Sequence, residues 1–121
     1  MSTLNVSNIT DGTDTVETGY VVNGSAKAWW NANGTGTIAI NDSFNCSSIT
    51  DNTTGVITGN LTNSMANSVY SLVIGSDVAA SNSAFNRVQI SNASSGTSRH
   101  YEGGTLTDTT INIVNCHGDL A

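Results

Sequence analysis

Proline is absent from this sequence. Turns therefore fall to glycine, which tolerates positive φ, and to Asn, Asp and Ser, whose side chains bond their own backbone. Charge is scarce as well. Only 10% of the residues are charged, and the basic ones are Lys27, Arg87 and Arg99. Nucleic-acid binding needs a basic face to neutralise phosphates. With a formal net charge of −6 no such face can be built, so no nucleic-acid partner is expected. An anionic membrane surface is excluded on the same ground. No apolar run is long enough to span a bilayer, so no membrane insertion is expected. Residues 1–10 have neither the basic nor the apolar region of a signal peptide, which leads us to expect synthesis in a cytoplasm. Cysteine is rare. Cys46 and Cys116 lie far apart and are expected as reduced, small core hydrophobes; a strand-to-strand disulfide is the alternative.

What the chain has in quantity is uncharged polarity. Ser, Thr and Asn make up roughly two-fifths of it, while Leu, Ile, Val and Phe make up roughly a fifth, near the compositional border of disorder. Disorder usually also needs high net charge and few β-branched residues. Thr, Val and Ile favour extended backbone, and Asn, Ser and Gly favour turns. The expected fold is all-β, an antiparallel β-sandwich of jelly-roll type in one domain. A chain of this size buries about two-thirds of its unfolded surface. The core would be thin, which implies that a neighbouring subunit contributes stability.

Residues 1–25 are polar, with scattered Val and Ile, and read as an extended N-terminal arm or loose hairpin. Residues 26–121 read as the sandwich. Asn33-Gly34-Thr35-Gly36 signals a hairpin turn. Ile38 and Ile40 share one strand face, and the same parity runs on through Phe44 and Cys46. Asp51-Asn52-Thr53-Thr54-Gly55 is a second turn. Ile57, Leu61 and Met65 share a face of the next run, which Gly59 weakens. Val69-Tyr70-Ser71-Leu72-Val73-Ile74 is the most continuous apolar stretch and reads as a central strand buried on both faces. Val88 and Ile90 mark another strand, and Ser94-Ser95-Gly96-Thr97-Ser98 a turn. The last strand places Ile111 and Ile113 on one face, Val114 and Cys116 on the other.

Enzyme chemistry finds little support. The acids sit mostly in or beside turns, where Asp is ordinary, so a glycosidase pair of carboxylates is not expected. Cys116-His117 is adjacent on a strand, and adjacent side chains point to opposite faces. No G-x-S-x-G elbow occurs. His100 and His117 lack the spaced partners of a zinc site. The Asn33-Gly34-Thr35-Gly36 run has no following lysine or helix and is no phosphate loop. Neither a catalytic residue nor a cofactor or metal is expected. Trp29 and Trp30 are the sharpest single feature: one ring should face the core and the other a subunit interface, or less favourably a sugar. Arg99-His100-Tyr101, after a Gly/Ser turn, is the candidate ligand-facing loop, although a solvated hairpin tip is the simpler reading.

Ala26-Lys27-Ala28-Trp29, Asn33-Gly34-Thr35-Gly36-Thr37-Ile38-Ala39-Ile40 and Ser43-Phe44-Asn45-Cys46-Ser47-Ser48-Ile49-Thr50-Asp51-Asn52 together resemble a family of small tail-fibre-like virion proteins of tailed bacteriophages, especially marine ones. So do Met1-Ser2-Thr3-Leu4 and Asn63-Ser64-Met65-Ala66-Asn67. The resemblance covers roughly residues 1–75 and is looser beyond. The family pattern has an aromatic near position 32, a basic residue near position 41 and a smaller residue at position 30, where this chain has Ala32, Asn41 and Trp30. The resemblance implies a homotrimeric β-sandwich on the virion surface. Its N-terminal arm would attach to other virion proteins, and its distal turns, including residues 94–104, would contact a host surface glycan or protein. A receptor-binding tail fibre is the first expectation, and a capsid decoration or head-fibre protein the second.

Overall fold

The computed structural model describes residues 2–77 and 84–121; Met1 of the expected arm lies outside them. Residues 2–25 form a unit of their own. β1 (Asn8–Thr10) and β2 (Thr15–Glu17) pair antiparallel. The turn between them is held by the Asp11 carboxylate, which accepts from the backbone N–H of Thr13 at 3.0 Å and of Asp14 at 2.9 Å. The amides of Asp14 and Thr13 hold the Asp11 carboxyl below its ordinary range. A short helix, α1 (Thr18–Gly24), follows. Seven residues are too few for a helix to persist on propensity alone. The Lys27 ammonium donates to the carbonyl oxygens of Val22 and Ser25 at its C-terminal end, where a cation is favoured. No residue of this unit is buried.

The rest of the chain forms two antiparallel sheets. In the first the order is β4 (Ala39–Phe44), β3 (Ala28–Asn33), β11 (Asn112–His117), β7 (Ser71–Ser76). In the second β5 (Cys46–Thr53) pairs β6 (Val56–Leu61), β6 pairs β9 (Ser95–Glu102), and β8 (Phe85–Asn92) lies on the far side of β9. A two-residue strand, β10 (Thr105–Leu106), pairs the end of β9. Tyr101 is opposite both Phe85 and Leu106, so β10 continues the β6 side.

The inner faces of the two sheets make the core. β3 turns Ala28, Trp30 and Ala32 inward, β11 adds Val114 and Cys116, and Leu72 and Ile74 of β7 pack beside them. The second sheet answers with one row in register, Ile49, Gly59, Gly96 and Ile90, one residue from each of its four longer strands. Its two glycines face each other directly and leave a gap two side chains wide. Trp30 fills it over Gly59 and Leu72 over Gly96. A Cβ on Gly59 would lie 2.6 Å from the Trp30 ring, and one on Gly96 would lie 2.8 Å from Leu72 Cδ1. Gly59, which the sequence alone marks as a weak point of its strand, is the socket for the largest core side chain.

The chain passes from one sheet to the other at Asn45, the only non-glycine described residue with positive φ, at 54°. Asn tolerates that region because its short polar side chain finds local partners. Here the Asn45 amide donates to the carbonyl oxygens of Lys27 and Asn63, both at 3.0 Å, and its Oδ1 accepts from the Asn63 N–H at 2.7 Å. One side chain thus ties the start of β3 to the end of β6.

Several expectations need correction. A bulge in β4 opposite Asn31 and Ala32 reverses the parity after Ile40. Ile40 therefore packs inward, while Phe44 faces out at 55% exposure. Cys46 is buried because the Asn45 corner moves it to the other sheet. The stretch 69–74 is no central strand: among the described residues β7 pairs β11 alone, Val69 lies outside it at 87% exposure, and Val73 points to solvent. Residues 95–98 are not a turn but the start of β9, a strand paired on both sides. The turn there is Ala93-Ser94. Residues 18–24 are helical rather than extended. The final strand matches expectation, with Val114 and Cys116 inward and Ile111 and Ile113 outward.

Gly59→Ala should destabilise the protein by about 1–3 kcal/mol, the usual cost of overpacking. Gly75→Ala, on a strand with open space around its Cβ direction, should be neutral. Urea denaturation of the two variants checks both.

Candidate functional site

Trp29 and Trp30 part as alternation requires. Trp30 is 0% exposed and belongs wholly to the core, so of the two tryptophans considered for a subunit interface only Trp29 is left on a surface. Its Nε1 is buried without a hydrogen-bond partner among the described residues. An orphaned donor costs about 1–3 kcal/mol, which the area buried by the ring must exceed. Trp29 is half-buried on the outer face, directly opposite the exposed Phe44 and beside Asn115. Val73 continues that outward row. Trp29 and Phe44 are thus neighbouring aromatic residues on that outer face.

Arg99, His100 and Tyr101 are not in a loop. All three lie in β9, and alternation again separates them. His100 points inward and is 0% exposed. It joins a polar chain linking three strands. Its Nδ1 lies 2.8 Å from Asn86 Oδ1 on β8. Its Nε2 meets the Asn112 side-chain amide of β11, which also donates to Ser98 Oγ at 2.9 Å. Asn86 Oδ1 accepts in addition from Ser76 Oγ. Nδ1 must therefore donate and Nε2 accept, which fixes the neutral imidazole with its proton on Nδ1. Burial pushes the His100 pKa below its ordinary value, and the Asp77 carboxylate partly opposes that shift. Hydrogen bonds from the Thr110 hydroxyl and the Ile111 N–H stabilise Asp77 as the anion and lower its own pKa.

Arg99 and Tyr101 point outward, with neighbours that sequence reasoning missed because pairing partners lie on another strand. Three outward rows run along β8 and β9: Phe85 opposite Tyr101, Arg87 opposite Arg99, and Gln89 opposite Thr97. The Phe85 and Tyr101 rings stack at 4.6 Å between centroids and 9° between planes. Arg99 Nη1 donates to Gln89 Oε1 at 2.7 Å. Arg87, Val88, Gln89, Arg99 and Tyr101 line a shallow depression of about 370 Å³. From Thr97 a line of hydroxyl and amide bonds crosses the whole sheet: Ser91 to Thr97 at 3.0 Å, Thr97 to Thr58 at 2.7 Å, and Asn52 to Thr58 at 2.7 Å.

The remaining chemistry-bearing groups are internal or solitary. Cys46 and Cys116 are both buried and free, so the disulfide alternative is not formed. Burial raises both thiols, Cys116 to about 12, which keeps them protonated and unreactive. Among the described residues no three His, Cys, Asp or Glu side chains converge as metal ligands, and no helix is long and apolar enough to cross a membrane. Comparison of the chain with protein-family models, with curated proteins and with solved structures gives no match.

The His100 network makes stability pH-dependent. The folded pKa lies below the unfolded value of about 6.5, so the unfolded chain takes up the proton first. The contribution of neutral His100 is complete above that pH and is lost as pH falls from there through the folded pKa. The urea midpoint should therefore drop between pH 7.5 and pH 5, above the range in which Asp77 and Asp11 titrate. In His100→Gln the midpoint should be lower at pH 7.5 and change less over that interval.

Proposed function

We propose that this chain is a bacteriophage virion protein, a tail-fibre or receptor-binding subunit. In this reading residues 1–25 attach it to other virion proteins. Residues 26–121 form a jelly-roll-like β-sandwich that assembles as a homotrimer and meets the host surface. The resemblance of residues 26–52 to tail-fibre-like proteins supports the class. The observation that carries the attachment role is the N-terminal unit itself: it buries nothing, yet Leu4 is 81% exposed and Tyr20 72%, with Ile9 and Val22 also open to solvent. Apolar side chains gathered in a unit that has no core of its own point to a partner surface. Trp29 and Phe44 offer the aromatic contact that a trimer would use.

A capsid decoration protein would need the same arm but no ligand-bearing face. The two arginines and the stacked rings on β8 and β9 favour the receptor-binding reading over it.

Deleting residues 2–25 from the phage gene should leave a folded protein, with its thermal midpoint within a few degrees of the full chain, that is absent from purified virions. Gold-antibody labelling of virions should mark the tail or its fibres. Added full-length protein at saturation should block adsorption. Label over the head, with adsorption unaffected, would transfer the assignment to decoration.

A further inference from the structure

We infer that the outward face of β8 and β9 binds an acidic saccharide. Arg87 and Arg99 would hold its anionic group, and the Phe85–Tyr101 pair would flank the sugar ring. The inference rests on the receptor-binding reading above and names the ligand class of that site.

The argument begins with cost. Residues directly opposite on antiparallel strands stand about 4.5–5.5 Å apart, and like charges placed there destabilise the sheet. This chain has three basic residues, and two of them, Arg87 and Arg99, occupy one such pair. Both are permanently charged, since guanidinium does not lose its proton in proteins. Among the described residues no acidic side chain lines the depression they share, and the bond shown for Arg99 goes to a neutral amide, Gln89. In a chain of net charge −6 this is a local concentration of positive charge on an otherwise acidic molecule. An anion between the two guanidinium groups converts their repulsion into two charge-assisted contacts, and the planar fork of Arg matches a carboxylate or phosphate in bidentate geometry.

The flanking rows narrow the class from any anion to an acidic sugar. On one side stand two aromatic rings, Phe85 exposed and Tyr101 half-buried. On the other lie the Gln89 amide and the exposed Ser91 hydroxyl, which the buried Thr97 hydroxyl holds at 3.0 Å. Rings that take an apolar face, together with amides and hydroxyls that take ring hydroxyls, suit a polyol carrying a charge. A free inorganic anion would leave both flanks unused.

The test is calorimetric titration of the full-length protein with oligogalacturonate as the carboxylate probe, phosphorylated dextran as the phosphate probe and plain dextran as the neutral control. One of the acidic probes should bind and dextran should not; which of them binds identifies the anionic group. Arg87→Gln and Arg99→Gln should each weaken binding by about tenfold, about 1.4 kcal/mol. Neither should lower the thermal midpoint, because each removes one of two opposed like charges. Tyr101→Ala should weaken binding as well. Arginine variants that bind like the parent protein, or dextran that binds as tightly as the acidic probes, would overturn the inference. If neither acidic probe binds while the protein still blocks adsorption, the ligand class is wrong and the receptor-binding reading stands. If an acidic probe binds and adsorption is not blocked, the site stands and the receptor-binding reading falls.

Discussion

The fold depends on a single contact between an indole and bare backbone. Gly59 and Gly96 sit opposite each other in the middle of one sheet, and the Trp30 ring presses into the space where the Gly59 side chain would be. Leu72 does the same over Gly96. The chain has few large hydrophobes, so it cannot fill an ordinary inter-sheet space from both sides. Removing side chains from one sheet lets the other approach closely enough for one Trp and one Leu to exclude water. Interiors gain dispersion energy only at close contact, and the paired glycines provide that closeness with a thin core.

Other features follow from that arrangement. Because Trp30 must seat over Gly59, β3 has to hold its register there, and the register shift between β3 and β4 falls beyond it, at Asn31 and Ala32. Asn45 then carries the chain across at the sheet edge while bonding both the approach to β3 and the exit from β6. Between the sheets the His100–Asn112–Ser98 chain joins the interior strands β9 and β11 with polar groups. Buried polar links of this kind rigidify a core and specify one arrangement of it. The N-terminal unit stands apart from all of this and shares none of the core.

Much of the β architecture was legible from alternation. Ile57 and Leu61 in one strand, and Val114 and Cys116 in another, show the period of two that a half-buried strand imposes. Where alternation is broken by a backbone event, the reading failed. The bulge beside Asn41 and the positive φ of Asn45 are local choices with no apolar signature, so Phe44 was expected inward. The β9 segment misled for a different reason. Ser95, Gly96, Thr97 and Ser98 have turn-like composition, yet they are buried because β9 is paired on both sides and Gly96 leaves the space that Leu72 fills. The aromatic and arginine pairs on β8 and β9 were half visible: Arg99 and Tyr101 stood out, but Phe85 and Arg87 are joined to them only by strand register, which a single sequence does not display. The exposed N-terminal unit was legible as non-core, and its short helix was not, since seven residues with two glycines carry no helical period.

The transverse line from Asn52 through Thr58 and Thr97 to Ser91 has one more consequence. It is built entirely from neutral groups, as is most of the polar surface. Screening by dissolved ions acts on charges separated through solvent, with a reach of about 8 Å at physiological ionic strength, and has almost nothing here to act on. The folded state should therefore tolerate brine and dilute buffer alike. A molecule built this way keeps its shape constant across salinities and leaves its few charged groups as the only part whose interactions vary with the medium.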